Sequence, residues 1–236
     1  MRSAETIQTY IEKYPWPRRR FIRGLLRFGI DVVGGILTQW EVTGKENIPE
    51  KGPLLIVGNH FSFLDTVAPI HSIRFPLEFI GDFEMPNAPP LMRIFPRTWE
   101  TLKIEQGTPN FEALKASEAI LAQNGVLVIY PEGHAEIGPL RNALPGAAYV
   151  ALRMGVPILP MGTISENQWK LFGTIIEKKR RLRVFTKIGK VFGPLRTENS
   201  DRPSREEIRE AGNTIMRNIA ALLPREFRGE FDVEQV

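Results

Sequence analysis

The chain has 236 residues, of which 42% are hydrophobic, enough to bury the core of one large domain. Its 31 basic residues slightly outnumber its 27 acidic ones, for a formal net charge of +4, so their placement matters more than their excess. There is no cysteine, which excludes disulfides, thiolate nucleophiles and cysteine-based zinc or iron–sulfur sites. No cleavable signal peptide is evident, and a reducing cytoplasm is the expected compartment.

The first predicted element, at residues 17–39, is a basic amphipathic helix. Apolar residues recur in it at helical spacing with arginines between them: Phe21, Leu25, Phe28, Val32 and Ile36 alternate with Arg19, Arg20, Arg23 and Arg27. Its uncharged part falls short of the ~20 residues that cross a bilayer. It is either packed on the domain with solvated arginines or bound to a membrane surface. Trp16 and Trp40 favour lipid, so we expect residues 1–40 to be a membrane-association segment whose arginines attract anionic lipids.

Beyond residue 40 the pattern changes to short apolar runs separated by helical segments. Such runs are typical of strands in a sheet covered on both faces. They lie at residues 53–58, 77–81, 126–131, 156–162 and 181–189. One helix, at residues 108–125, has Thr108 as N-cap, and the last helix opens with a capping box from Ser204 to Glu207. Residues 41–236 are therefore predicted to form an α/β domain with a mixed, largely parallel sheet flanked by helices.

A histidine and an aspartate follow the first of these strands. His60 leaves the strand at its carboxyl end, where α/β sheets place their ligand crevices, and Asp65 falls in the first turn of the next element. A carboxylate bonded to one imidazole nitrogen fixes the tautomer and raises the basicity of the other, as a general base for a hydroxyl requires. The competing interpretation is a histidine that merely caps a loop, and the spacing alone does not decide.

Two kinds of hydrolase could also use a histidine and an aspartate in this position. A serine hydrolase needs a Gly-x-Ser-x-Gly elbow, which the serines of this chain lack. A metal site needs three or four ligands, and the three histidines show no recognised zinc spacing. We therefore expect no metal, although a metal-dependent hydrolase remains an alternative. Its ligands would be His60, Asp65, Glu132 and His134.

A second polar turn, Pro131-Glu132-Gly133, ends the strand at residues 126–131. Alone it reads as an ordinary β-turn. Together with "NHFSFLD" before it and "VPILPMG" after it, the chain closely resembles the glycerolipid acyltransferase family, to which bacterial 1-acylglycerol-3-phosphate acyltransferases belong. The resemblance covers roughly residues 41–193 and most of the predicted strands.

The resemblance implies roles for individual residues. His60 takes the general-base role, Asp65 orients it, and Asn59 stands alongside as a substrate-binding residue. Glu132 and Gly133 belong to the block associated with the acyl acceptor, and donors near the Gly58 and Gly133 turns would steady the oxyanion. The implied reaction moves a fatty acyl group from acyl-CoA or acyl carrier protein to a lipid hydroxyl without a cofactor. A non-catalytic lipid-binding module of the same fold is the alternative.

The chain departs from the family where the family commonly places two arginines linked to the acceptor phosphate. Gln106 and Ala135 occupy those positions. Arg141, and after it Lys103, are the candidates to replace them, although a lysine does not match the geometry of an arginine fork. We therefore expect an acceptor whose phosphate is masked or absent, unless Arg141 or Lys103 supplies the charge for lysophosphatidic acid.

A basic run at residues 177–183 is interpreted as a solvated loop, with binding to anionic lipid as the alternative. It has no interleaved aromatic residues and no accompanying nucleic-acid-binding motif, so we expect no nucleic-acid partner. The expected partners are membrane lipids, a lipid acceptor, and acyl-CoA or acyl carrier protein. The protein is expected to be peripheral, on the cytoplasmic face of the membrane.

Overall fold

Helices and strands alternate along the part of the chain that the computed structural model describes, residues 2–81, 93–103, 111–166 and 179–232. The helices are α1 (Arg2–Lys13), α2 (Arg20–Leu37), α3 (Phe63–Ser72), α4 (Phe95–Trp99), α5 (Phe111–Ala122), α6 (Pro145–Met154) and α7 (Arg205–Ala220). The strands are β1 (Thr38–Thr43), β2 (Leu54–Gly58), β3 (Glu78–Gly81), β4 (Leu102–Lys103), β5 (Val126–Ile129), β6 (Ile158–Ser165) and β7 (Leu182–Ile188).

The described strands form one sheet in the order β1-β7-β6-β2-β5-β3-β4. Neighbouring strands are parallel except for the antiparallel pair of β6 and β7. β2 lies between β6 and β5, and all of its residues are buried, as its continuous apolar sequence predicts. The predicted α/β class, with a mixed, largely parallel sheet flanked by helices, is confirmed.

The five predicted strands correspond to β2, β3, β5, β6 and β7, whereas β1 and β4 were not predicted. The capping box of α7 is also confirmed, because Ser204 Oγ accepts the N–H of Glu207 and the Glu207 carboxylate accepts the N–H of Ser204. The helix predicted at residues 108–125 is present as α5, and its expected cap, Thr108, lies outside the described residues. The expected boundary at residues 40 and 41 falls within β1.

The alternating side chains of the sheet build a core on each face. In β2, Leu55 and Val57 join the core that packs under α5, α6 and α7. Leu54 and Ile56 join the opposite core, which is covered by α3 and α4. This period of two is the ordinary consequence of strand geometry. The sheet is therefore enclosed between two helical layers, which leaves the carboxyl ends of its central strands as the place for a site.

Helix α2 turns its apolar face to solvent and its central arginines to the protein. Phe21 is 85% exposed and Ile36 is 66% exposed, whereas Arg23 is only 5% exposed. The outward apolar residues are Phe21, Leu25, Phe28, Val32, Val33 and Ile36. The expectation of solvated or lipid-facing arginines is therefore wrong for Arg23 and Arg27. None of the helices in the described residues is long and apolar enough to cross a bilayer.

A buried ion pair explains why the arginines point inward. The Arg23 guanidinium donates to both carboxylate oxygens of Glu78, at 2.5 and 2.9 Å, and to the Trp99 carbonyl oxygen. Arg18, which precedes α2, donates to the same carboxylate at 2.6 Å. The Glu78 side chain is fully buried in β3. A bidentate pair of this kind has strict geometry, and removing one partner would strand a buried charge. It therefore fixes which face of α2 meets the sheet.

Candidate active site

The two polar turns predicted from sequence lie side by side. β2 and β5 pair in parallel, with Val57 opposite Ile129, so their carboxyl ends meet at one edge of the sheet. His60 follows β2 and Glu132 follows β5. Ligand crevices of α/β sheets lie at this edge. Two blocks that are 72 residues apart in sequence thus come into direct contact.

The Glu132 carboxylate makes that contact. Its Oε1 accepts the backbone N–H of His60 at 2.8 Å, and its Oε2 accepts the backbone N–H of Arg141 at 3.2 Å. The side chain is fully buried. Burial raises the pKa of Glu132, while the bonds from His60 and Arg141 oppose that rise. Glu132 therefore holds the backbone of the histidine turn, and its expected substrate-binding role stays a prediction.

Gly133 is required by the shape of the second turn. Its φ is +82°, and a Cβ placed there would lie 2.3 Å from Leu144 Cδ1. Glycine adopts this left-handed conformation without steric cost. Its N–H donates to the Tyr130 carbonyl oxygen at 3.0 Å. The Gly133 amide is therefore engaged in the turn, and the expected roles of Gly133 in substrate binding and of donors near this turn at an oxyanion stay predictions.

Asp65 lies in the first turn of α3 and has two different oxygens. Oδ2 accepts the backbone N–H groups of Phe61 and Ser62, at 2.5 and 2.6 Å. Oδ1 is buried and has no hydrogen-bond partner. The Oδ2 bonds complete a capping box in which Ser62 is the N-cap. One oxygen therefore stabilises the helix start, and the other remains available for chemistry.

The His60 ring presents a matching unpaired atom. Its Nδ1 is buried without a hydrogen-bond partner, although the residue as a whole is only half-buried. The ring stacks on Tyr130, with centroids 4.4 Å apart and planes inclined by 23°. A buried polar group without a partner costs ~1–3 kcal/mol. A hydrogen bond between His60 Nδ1 and Asp65 Oδ1 would give both atoms a partner and remove this cost. It would leave Nε2 free to bond to a substrate.

The protonation of both residues is shifted by burial. Burial lowers the pKa of His60 to about 3, and the positive charge of Arg141 acts in the same direction. Burial raises the pKa of the Asp65 carboxyl well above 3.8, against the bonds from Ser62 and Phe61. The imidazole is therefore neutral, as a general base requires. Bonding of Nδ1 to the carboxylate would favour the imidazolium as the base takes up a proton.

Asn59 connects the first turn to β6. Its Nδ2 donates to the Thr163 carbonyl oxygen at 2.9 Å, and its Oδ1 accepts the Thr163 N–H at 2.7 Å. The residue is 1% exposed. These two bonds continue the backbone pairing between β2 and β6. Burial raises the pKa of the neighbouring Asp65, and the Asn59 side chain opposes that rise. The expected substrate-binding role of Asn59 stays a prediction.

Of the two cationic candidates, the structure brings only Arg141 to the turns. Its guanidinium bonds to Glu132, to the carbonyl oxygen and ring of His134, and to Glu136 at 2.8 Å. Lys103 ends β4, three strands away from β2 and so about 14 Å across the sheet. Ala135 lies two residues beyond Gly133, while Gln106 is outside the described residues.

The alternative metal site does not assemble from the residues proposed for it. Both carboxylate oxygens of Glu132 accept hydrogen bonds from backbone N–H groups, and so does one oxygen of Asp65. His134 lies on the exposed side and bonds to Arg141. Among the residues that the structure describes, no three His, Asp or Glu side chains are grouped to hold a metal ion.

A small cavity lies beside Asp65. It has a volume of about 10 Å³ and is lined on its polar side by Asn59, Asp65, Tyr130 and Thr163. That volume holds about one water molecule. It is too small for any part of a lipid chain.

The fold and the two turns define a class of protein. The family model for Acyltransferase matches residues 39–164, which include β2, β5 and both turns. This is more than half of the chain. The protein therefore belongs to the Acyltransferase family, and the resemblance found in the sequence is confirmed.

Two relatives narrow the comparison. The 1-acyl-sn-glycerol-3-phosphate acyltransferase of Borreliella burgdorferi is 26% identical over 131 residues, which cover 54% of this chain and 52% of that protein. The chain thus matches about half the length of this curated relative. The crystal structure of the 1-acyl-sn-glycerophosphate (LPA) acyltransferase PlsC from Thermotoga maritima aligns with a TM-score of 0.54 at 20% identity, over 94% of this chain and 89% of that one. At this identity the likeness establishes a shared fold.

Sequence reasoning missed three residues that build the site. Tyr130 stands where the resembled family block has phenylalanine, and that departure was a visible signal. Ser62 and Asp65 form a Ser-x-x-Asp pattern before an apolar run, which is readable as a capping box. Thr163 gave no signal, because its partner Asn59 is 104 residues away.

We predict that Asp65→Asn stabilises the protein in a pH-dependent way. The folded-state pKa of Asp65 lies above its unfolded value, so its contribution to stability is complete below 3.8 and is lost as the pH rises through the folded pKa. Asparagine retains an oxygen for the Phe61 and Ser62 amides but carries no charge. Denaturant unfolding from about pH 4 to about pH 8 should therefore show the variant gaining stability over the wild type as the pH rises.

Asp232→Asn is the matched control with the opposite sign. Burial tends to raise the pKa of Asp232, but bonds from Arg228 and Arg225 bring it below its ordinary value. Its stabilisation is present above the unfolded pKa and lost as the pH falls through the folded pKa. Asp232→Asn should therefore be less stable than the wild type at neutral pH. The difference in free energy of unfolding should shrink as the pH falls. A constant difference between Asp65→Asn and the wild type at all pH values would contradict the assignment for Asp65.

Proposed function

We propose that the protein transfers a fatty acyl group from a thioester, acyl-CoA or acyl carrier protein, to a hydroxyl of a lysophospholipid-type acceptor. The observation that carries the proposal is the pair of unpaired buried atoms, Nδ1 of His60 and Oδ1 of Asp65, in the one segment that leads from the central strand β2 into α3. Both relatives are named as acyltransferases of a 1-acyl-sn-glycerol phosphate lipid, which supports this choice of reaction.

In the proposed reaction, Nε2 of His60 takes the proton of the acceptor hydroxyl. The acceptor oxygen attacks the thioester carbonyl carbon, the carbon–sulfur bond breaks, and the departing thiolate recovers the proton from the imidazolium. Asp65 stabilises the imidazolium through Nδ1 and keeps the ring in the required tautomer. Glu132 and the N-terminus of α3 hold the two backbones in place. The reaction proposed here uses no cofactor.

The proposed setting is a membrane surface, on the cytoplasmic side where the thioester donors are. The contiguous apolar side of α2 is exposed along the whole helix, from Phe21 to Ile36. Exposed apolar surfaces of this kind mark interaction sites, and a helix with one apolar side suits the boundary between headgroups and acyl chains. Because Arg23 and Arg27 bond to the protein, insertion of apolar side chains, rather than charge, provides the attachment.

The proposed acceptor has a masked phosphate. The guanidinium of Arg141, the cation that the structure brings to the turns, already meets two carboxylates, Glu132 and Glu136. A phosphate monoester carries close to two negative charges. To reach Arg141 it would have to displace Glu136 or lie beside it. A phosphodiester headgroup, with one charge and more bulk, meets less repulsion.

Removal of His60 tests its proposed role as general base. His60→Ala should fold with an unchanged melting temperature and lose acyl transfer by ~10²–10⁴-fold, because a positioned general base is removed. The assay follows thiol release together with acylated acceptor in detergent. His71→Ala is the control, since His71 bonds to Asp31 between α2 and α3 and lies away from both turns. Wild-type rates in His60→Ala would overturn the role, and binding without thiol release by the wild type would indicate the non-catalytic module.

The second prediction concerns the acceptor. Catalytic efficiency of the wild type should be higher with lysophosphatidylglycerol than with lysophosphatidic acid when both are measured with the same donor. Glu136→Gln removes a repelling charge, so it should raise the efficiency with lysophosphatidic acid by about tenfold and change that with the diester less. Glu136 is exposed, so the fold should tolerate the change. A monoester preference that Arg141→Ala abolishes would show that Arg141 binds the phosphate and that the acceptor is lysophosphatidic acid.

The third prediction concerns the membrane. Replacing Phe21, Leu25 and Phe28 together by serine should abolish flotation with phosphatidylcholine vesicles, because each side chain contributes ~1.5–3 kcal/mol when it leaves water. Flotation of the wild type should change little between about 0.1 M and 1 M salt, since screening acts on charges only. The control is Phe111→Ser, because Phe111 on α5 is exposed to a similar degree as the three replaced residues but lies on another helix. Flotation that needs anionic lipid and fails in salt would restore the arginine-based interpretation.

A further inference from the structure

Tyr130 contacts both His60 and Asp65. It follows β5 directly and precedes the Pro131-Glu132-Gly133 turn. Its ring stacks on the His60 ring, with centroids 4.4 Å apart. Its hydroxyl donates to the backbone carbonyl oxygen of Asp65 at 2.7 Å. A single side chain thus spans the gap between the base and the residue that orients it.

We propose that Tyr130 is a positioning residue, whose ring sets the plane of the His60 imidazole and whose hydroxyl sets the position of Asp65. The inference rests on the proposed acyl transfer, for which Nδ1 of His60 must face Oδ1 of Asp65. Stacking limits the rotation of the imidazole about its side-chain bonds. The hydroxyl bond fixes the first turn of α3, which carries the carboxylate.

The Tyr130 ring is itself held on its other sides. A Cβ added to Gly58, at the end of β2, would lie 3.4 Å from Tyr130 Cε1 and 3.2 Å from the Met161 carbonyl oxygen. The glycine therefore lets the ring lie close against the strand. Tyr130 also lines the small cavity beside Asp65, so the ring and the carboxylate share one wall. A side chain confined in this way can transmit a fixed geometry to its neighbours.

The hydroxyl is a donor at any working pH. Burial raises the pKa of Tyr130 well above 10.0, and the charge of Asp65 acts in the same direction. The proton therefore stays on the oxygen and points to the Asp65 carbonyl. Tyr130 takes no proton from the substrate in this arrangement. Its contribution is geometric, and small displacements of a catalytic group are costly, because reacting atoms must meet at about 3–3.5 Å.

The test compares Tyr130→Phe, Tyr130→Leu and the control Tyr149→Phe in the full chain. Tyr149→Phe removes a hydroxyl from α6, which packs on the core under α5, α6 and α7, whereas Tyr130 packs against the other core. Tyr130→Phe keeps the stack and loses the anchor, so kcat should fall about tenfold with KM unchanged, and the acidic limb of the pH profile of kcat should shift. In Tyr130→Leu, which loses both the stack and the hydroxyl, kcat should fall about a hundredfold. The control should match the wild type.

A second readout does not depend on activity. The chain has three histidines, so ¹⁵N-histidine spectra can be assigned with His71→Ala and His134→Ala. His60 should show one tautomer, protonated at Nδ1, in the wild type and averaged nitrogen shifts in Tyr130→Phe.

Wild-type kcat, pH profile and His60 shifts in Tyr130→Phe would overturn the inference. A wild-type protein that transfers no acyl group to any acceptor would overturn the proposed function instead, and the spectra would still decide whether Tyr130 positions His60. If Tyr130→Leu fails to fold, Tyr130→Phe decides alone.

Discussion

The carboxylate of Glu132 is the constraint on which the arrangement of the site depends. It is fully buried and joins the turn after β2 to the turn after β5 by accepting the backbone N–H groups of His60 and Arg141. A buried carboxylate is tolerated only when its oxygens are bonded. The two turns must therefore stay together, because separating them would leave the charge without donors. The position of the His60 backbone follows from this requirement, and the Asn59–Thr163 bonds add a second tie to β6.

Held in this way, the site keeps features that oppose stability. Nδ1 of His60 and Oδ1 of Asp65 are buried without partners, and burial shifts the pKa of each residue toward its neutral form. Strain of this kind is expected where geometry serves chemistry, and removing it often stabilises a protein at the expense of activity. Tyr130 and Glu132 supply the bonds that keep the two residues close despite that cost. The segment that carries His60 and Asp65 is thus held by bonds from neighbouring side chains.

The sequence predicted the parts of this structure whose pattern is local. β2 and β5 are continuous apolar runs, and the capping box of α7 lies within four residues, so each could be read without partners. β4, with two residues, is too short to show a period, and β1 alternates polar and apolar residues at a sheet edge. The backbone bonds of Asn59 to Thr163 and of Glu132 to His60 could not be predicted, because their partners lie more than 70 residues away in sequence.

The orientation of α2 shows the same limit and links the lipid surface to the site. Helical spacing groups residues on a face, but it does not say which face is inside; the fully buried Glu78 decides, because it needs Arg23. With the arginines inward, Asp31 of α2 meets His71 and Arg74 near the end of α3. Asp65 begins that same helix, about 9 Å from His71 along the axis. Helix α2 and the carboxylate of Asp65 are therefore attached to opposite ends of one short helix, α3, so the buried ion pair that orients α2 also bears on the position of the candidate site.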